Sequence, residues 1–181
     1  MENNPRFIHA DFLTAVEESL QNISEAVLYR DERGFQGALL HELNARLGNG
    51  VLPDDPIIQQ EYQKRIRHHG IKIRPDIIVH IPFERGVVQG RDEGNFVAIE
   101  MKRRATVKEA RHAFASLRQM KKVLKYPLTV FINVDSDETH AVLCPKSIAG
   151  QTACFAVRLI GKRAVVKVER PVLAVEKVAL E

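Results

Sequence analysis

Apolar residues recur at helical spacing near the start of the chain. Phe12, Ala15, Val16, Leu20, Ile23, Val27 and Leu28 fall on one stripe, which predicts an amphipathic helix over residues 7–30. Asp31-Glu32-Arg33-Gly34 interrupts it. Leu39, Leu40, Leu43 and Leu47 then mark a second helix over about 35–47, and Gly48-Asn49-Gly50 supplies a glycine cap to end it. After a loop carrying Pro53 and Pro56 the period changes. A weak alternation through Ile58, Gln60, Tyr62, Lys64 and Ile66 predicts a first strand over 57–66, with a helix as the alternative because Gln and Glu favour helices. His68-His69-Gly70 reads as a turn, 73–81 as a second strand, 82–95 as a glycine-containing hairpin connection and 96–101 as a third strand.

Helical spacing then returns. Val107, Ala110, Ala113, Phe114, Leu117, Met120 and Leu124 share one face of a helix over about 107–124, which Pro127 stops. The continuous apolar run 128–134 suits a strand buried on both faces. Asp135-Ser136-Asp137-Glu138 turns the chain into a further strand over 140–143. Two alternating runs, 154–160 and 164–168, meet at Gly161-Lys162 as a hairpin, and 172–180 stays open between helix and strand. A helix between the third strand and the buried fourth implies an α/β fold: a mixed sheet covered by helices.

Charge breaks the strand pattern in one stretch, residues 74–102. Asp76 follows Pro75 at the head of an apolar strand, and Glu100 and Lys102 sit two apart, on one face, in the next apolar strand. Unpaired buried charge costs several kcal/mol or forces neutralisation. If the strands are hairpin neighbours, Asp76 and Glu100 lie close and repel, and a divalent cation that prefers oxygen relieves the repulsion. Such an ion keeps water in its shell that could serve as a nucleophile, with Lys102 beside the pair to orient or help deprotonate that water and steady the transition-state charge.

Composition narrows the setting. The 181 residues suit one domain, and the 45% hydrophobic and 28% charged fractions are those of an ordinary globular protein. No run of about 18 apolar residues suggests a membrane span, and the N-terminus lacks the basic and apolar regions of a signal peptide. Cys144 and Cys154 form neither a disulfide framework nor a zinc motif, which points to a cytoplasmic protein. The net charge of +4 says little, but its distribution says more. From Lys102 to Lys125 the basic residues are Lys102, Arg103, Arg104, Lys108, Arg111, Arg118, Lys121, Lys122 and Lys125, against the single acid Glu109. A block so one-sided calls for an anion against it.

Pro75-Asp76 and Glu100-Met101-Lys102, on apolar runs in this order and followed by a basic helix, resemble the motifs of the PD-(D/E)XK nuclease superfamily. The resemblance covers roughly residues 33–134. It implies a restriction-endonuclease-like mixed β-sheet flanked by helices, with an αβββαβ core. The helix over 7–30 and an extension over 135–181 with its β-hairpin would be additions within a single domain spanning 1–181. It further implies Mg²⁺-dependent hydrolysis of phosphodiester bonds in nucleic acid, foremost DNA, with Mn²⁺ as a substitute. Asp76 and Glu100 would bind the metal, the Met101 backbone carbonyl would be a further ligand, and Lys102 would act on the attacking water. Many members carry an acid on the helix before the meander. Glu42, beside Phe35 and Leu39 at the edge of the apolar face, is the best match, ahead of Glu17, Glu18 and Glu32.

Arg111, Arg118, Lys122 and Lys125 fall within one narrow arc of the basic helix, where phosphate contacts would give affinity without sequence information. With Arg74 and Arg103 next to the two motifs, Arg111, Arg118 and Lys122 are the candidate nucleic-acid contacts. Gln119 resembles the helix glutamine of nuclease branches that act on DNA ends, but Val123 stands where those carry tyrosine, so that branch is not assigned. Among the histidines His80, in a strand, is the best placed to approach the site. Members often dimerise to cut two strands, and the N-terminal helix or C-terminal hairpin could serve a homodimer. The rival reading is a nuclease fold without catalysis, kept as a nucleic-acid-binding or assembly module. A second rival is an unrelated α/β interaction protein in which Asp76 and Glu100 point apart.

Overall fold

A computed structural model describes residues 5–47, 56–60, 72–82, 85–86 and 93–171, with side chains described from residue 10 onward. Helices α1 (Pro5–Asn22) and α2 (Glu32–Leu47) precede strands β1 (Ile57–Gln60), β2 (Ile77–His80) and β3 (Asn95–Arg103). Helix α3 (Val107–Leu124), strand β4 (Leu128–Val134), a short helix α4 (Lys146–Ala149) and strands β5 (Thr152–Ile160) and β6 (Arg163–Glu169) follow. The strands form one six-stranded sheet in the order β1-β2-β3-β4-β5-β6. β1, β2 and β3 form an antiparallel meander, β3, β4 and β5 run parallel, and β6 returns antiparallel. The mixed α/β class expected from the sequence is therefore observed. Among the described residues, no helix is long and apolar enough to cross a membrane.

The strand alternation builds three layers. Ile77, Val79, Val97, Ile99, Met101, Val130 and Ile132 pack with α1 and α2 on one face. Ile78, Ala98, Phe131 and Cys154 pack with α3 on the other. β4 is buried along its whole length, as a central strand covered on both faces must be. The bounds of α3 and β4 are those the apolar pattern predicts. α3 opens on a capping box: Thr106 and Glu109 satisfy each other's backbone N–H, which fixes the start of the helix.

Several expectations need correction. The first helix ends at Asn22 instead of residue 30, and Leu28–Arg30 forms a separate 3₁₀ turn. Tyr29 turns inward there: its hydroxyl donates to the Ile23 carbonyl at 2.8 Å and its ring meets Phe35 edge-on. Val27, assigned to the apolar stripe, is 65% exposed. The second helix starts at Glu32, because Asp31 caps it instead of breaking it: its carboxylate accepts the Gly34 N–H at 2.7 Å. Residues 140–143 are not a strand. His140 takes a left-handed conformation (φ 54°) and Ala141–Leu143 forms a 3₁₀ turn. The pattern misled because β5 occupies the edge of β4, and a parallel neighbour requires a crossover, made here by that turn and α4. β2 is shorter than the expected 73–81 and β3 longer than the expected 96–101. The Gly48-Asn49-Gly50 cap, the outer part of the first strand, the His68-His69-Gly70 turn and residues 172–180 lie outside the described residues.

The Asp31 cap sets where Glu32 stands. Asp31→Ala should lower stability by about 1 kcal/mol, the usual worth of such a cap, read as a lower urea midpoint at unchanged slope.

Candidate active site

The site forms where β2 stops before β3 does. Ile77 pairs with Ile99, so one step further Asp76 stands opposite Glu100 and Pro75 opposite Met101. Proline has no N–H for a ladder, so pairing ends there. The N–H and C=O of Met101, which point to the same side of the strand, then need other partners. Asp76 accepts the Met101 N–H at 2.6 Å, and Lys102 Nζ donates to the Met101 carbonyl at 2.6 Å. The Met101 side chain points the other way, into the core beneath α1 and α2. The Pro-Asp pair thus ends the ladder and supplies the acceptor that replaces it.

Glu100 lies on the α3 face and is only 7% exposed. Burial, then the neighbouring Asp76 charge, pushes its carboxyl well above the ordinary glutamate range; Lys102 opposes the shift and Glu32 adds to it. Burial works against the Lys102 ammonium, yet Asp76, Glu32 and Glu100 outweigh it and hold its pKa above the usual lysine value. Lys102 is therefore a cation at neutral pH.

Helix α2 braces this corner through residues four apart on one face. Gln36, nearly sealed at 3% exposure, donates from its side chain to the Asp76 backbone carbonyl. Glu32 holds Lys102 Nζ at 3.0 Å with one oxygen and the Arg103 N–H at 3.0 Å with the other. The expected helix acid, Glu42, is elsewhere: ten residues on, about 15 Å along the axis, it accepts from Asn22 at 3.0 Å and ties α2 to α1. Gln36 was missed by the sequence reading. The signal was a polar residue on the buried stripe of Phe35 and Leu39, since a buried amide must find a partner.

Asp76, Glu100 and Lys102 open into a cavity of about 1430 Å³. Lys72 and Arg74 line it ahead of β2, and Arg118, Lys121, Lys122 and Lys125 line it from α3. Two of the five expected nucleic-acid contacts fall outside it. Arg111 is exposed on α3 away from the lining. Arg103 is tied down, donating to the Tyr29 carbonyl at 2.6 Å and to Asp135 at 3.0 Å. Lys121 and Lys125 line it instead. Lys125 ends α3 in a left-handed conformation (φ 57°), a position that favours glycine. Gln119 and His112 also line the cavity. His80 does not approach it: at the far end of β2 it pairs with Gln59 at 3.1 Å.

Among the described residues no three His, Cys, Asp or Glu side chains gather as a metal-binding group. The donors at this corner are two carboxylates and one backbone carbonyl. They are hard oxygen donors, the type that a divalent cation of the Mg²⁺ kind takes. No protein-family model matches the chain, and no curated protein or solved structure matches it.

A carboxylate buried beside another is a cost to the fold unless a cation relieves it. In chelator, Glu100→Gln should therefore raise Tm; at this chain length about 2–4 °C corresponds to 1 kcal/mol. Because the folded-state pKa lies above the unfolded one, the penalty builds as pH rises above the ordinary glutamate range and is absent below it. The gain from glutamine should follow the same course in thermal melts. A Tm below the parent's at neutral pH would give Glu100 a stabilising role instead.

Proposed function

We propose that this protein is a metal-dependent nuclease of the PD-(D/E)XK type that hydrolyses phosphodiester bonds in DNA. The observation that carries the reading is the meeting of Asp76, Glu100 and Lys102 beside a cavity lined by Lys72, Arg74, Arg118, Lys121, Lys122 and Lys125. The order α2, β1-β2-β3 meander, α3 and parallel β4 agrees with the αβββαβ core that this family implies. On this reading the fold is restriction-endonuclease-like, and α1 and the β5–β6 hairpin are additions to it.

Asp76, Glu100 and the Met101 carbonyl would hold Mg²⁺ or Mn²⁺, which would polarise a phosphoryl oxygen and activate a water. The chain's own residues do the rest. Lys102, held as a cation, steadies the charge that gathers on the phosphoryl oxygens instead of taking a proton. Arg74, Arg118 and Lys122 hold phosphates along the cavity and set the scissile bond against the carboxylates. The rival, a binding module without catalysis, draws on one observation: the Lys102 ammonium already has Glu32 and the Met101 carbonyl as partners. Mg²⁺ titration separates the two, since the module would bind DNA and never cut it.

Asp76→Ala and Lys102→Ala should each lower Mg²⁺-dependent cleavage by a factor on the order of 10² or more while circular dichroism stays that of the parent. Asp76→Asn, which keeps an acceptor for the Met101 N–H, guards against loss of fold. Asp76→Asn and Asp76→Ala cutting as fast as the parent would overturn the site. Arg118→Ala and Lys122→Ala should weaken DNA binding for all sequences alike. Each should reduce the slope of log K against log salt by about 1, measured by fluorescence anisotropy.

A further inference from the structure

Lys102 and a divalent cation at this corner would have a partner in common. Its ammonium lies 2.6 Å from the Met101 carbonyl oxygen, one of the three donors at the corner, and Asp76 and Glu100 both act on its charge. A metal ion and an ammonium on that one oxygen repel each other. The second strong partner of Lys102 is Glu32, at 3.0 Å.

Glu32 is a fixed point. Asp31 caps α2 one residue before it, so Glu32 sits in the first helical turn, where the helix dipole favours a carboxylate. Its other oxygen accepts the Arg103 N–H, and Arg103 is itself anchored to Tyr29 and Asp135. Lys102 thus stands between a rigid carboxylate on one side and the oxygens of the candidate metal site on the other. We propose that Glu32 is a positioning residue that keeps hold of Lys102 when a divalent cation takes the Met101 carbonyl, and so sets the affinity for that cation. This rests on the metal-site reading given above.

The physical logic is competition. With Glu32 present, an arriving cation displaces the ammonium from the Met101 carbonyl without stranding it, because the ion pair remains. Without Glu32, the ammonium's remaining partners are Met101, Asp76 and Glu100, so it competes for the whole donor set. Glu32 acts here through Lys102, not as a ligand.

Mn²⁺ alone is the probe, titrated into the full chain and followed by the electron paramagnetic resonance signal of the free ion, with no DNA present. Glu32→Gln should weaken Mn²⁺ binding on the order of tenfold, the usual effect of removing a partner behind a metal site. Lys102→Met should tighten it. In the Lys102→Met background, Glu32→Gln should change nothing. If Glu32→Gln weakens binding equally with and without Lys102, Glu32 is a ligand itself and the inference is overturned while the metal site stands. An unchanged affinity in Glu32→Gln alone also overturns it. If neither the parent nor Lys102→Met binds Mn²⁺, the metal-site reading falls together with it. Lys102→Met alone keeps the competition testable should Glu32→Gln not fold: weaker binding there overturns the inference.

Discussion

Glu100 is nearly sealed from water, with a second carboxylate opposite it across the end of a strand pair. Few placements are less favourable for a fold, and much of the surrounding structure follows from keeping it. Pro75 ends the ladder so that Asp76 can accept the Met101 N–H. Gln36 is spent inside the core to hold the Asp76 backbone. Lys102 supplies the local positive charge, and Glu32 holds Lys102. Each of these arrangements is hard to explain as stabilisation for its own sake, because apolar residues of the same size would fill the corner at lower cost. Destabilising charge kept together is what supports the proposed reading of this corner as a site of chemistry.

The sheet divides the labour between its two faces. On one side α2 presents Glu32 and Gln36 to the ends of β2 and β3, so that helix governs where the charged groups stand. On the other side α3 presents Arg118, Lys121, Lys122 and Lys125 to the cavity. Both helices are fixed at their starts by side-chain caps, Asp31 for α2 and the Thr106–Glu109 box for α3. The β3–β4 crossover leaves only Arg104 to Thr106 between strand and helix, so the basic row cannot drift far from Lys102. Arg104 at φ 49° and Asp135 at φ 58° are both left-handed, and Asp135 accepts from Arg103 and Arg104 together. That cluster locks the connection at the point where the chain leaves the strand.

Much of this was legible in the residues. The 3.6-residue stripe of α3 and the unbroken apolar run of β4 gave both elements their observed bounds, because packing on a long regular face leaves no competing reading. The meeting of Asp76, Glu100 and Lys102 was legible too, since charge on an apolar strand stands out against its surroundings. Caps and short turns were less so. Asp31 belongs to a tetrapeptide that looks like a breaker, and only its geometry distinguishes a cap from a loop. Glu42 was preferred over Glu32 because it lies beside an apolar stripe. Wheel position, however, says which face a residue takes and nothing about which end of the helix meets the strand heads. Arg103 looked like a free cation because a sequence cannot display Asp135 and the Tyr29 carbonyl.

The role of Lys102 turns on its protonation. A lysine that takes a proton from water needs a pKa brought down toward neutrality, by burial or by neighbouring cations. Burial does act on Lys102 in that direction, but three carboxylates act against it and win. The same carboxylates that would hold a metal thus keep the lysine charged. On the proposed reading its contribution would be a fixed positive charge, held by Glu32 and the Met101 carbonyl. Preorganised charge of this kind lowers a barrier because no group need reorient as negative charge develops. Replacing Lys102 by arginine would keep the charge but not the compact ammonium that reaches Glu32 and Met101 at once, so the position selects a point charge over a planar fork.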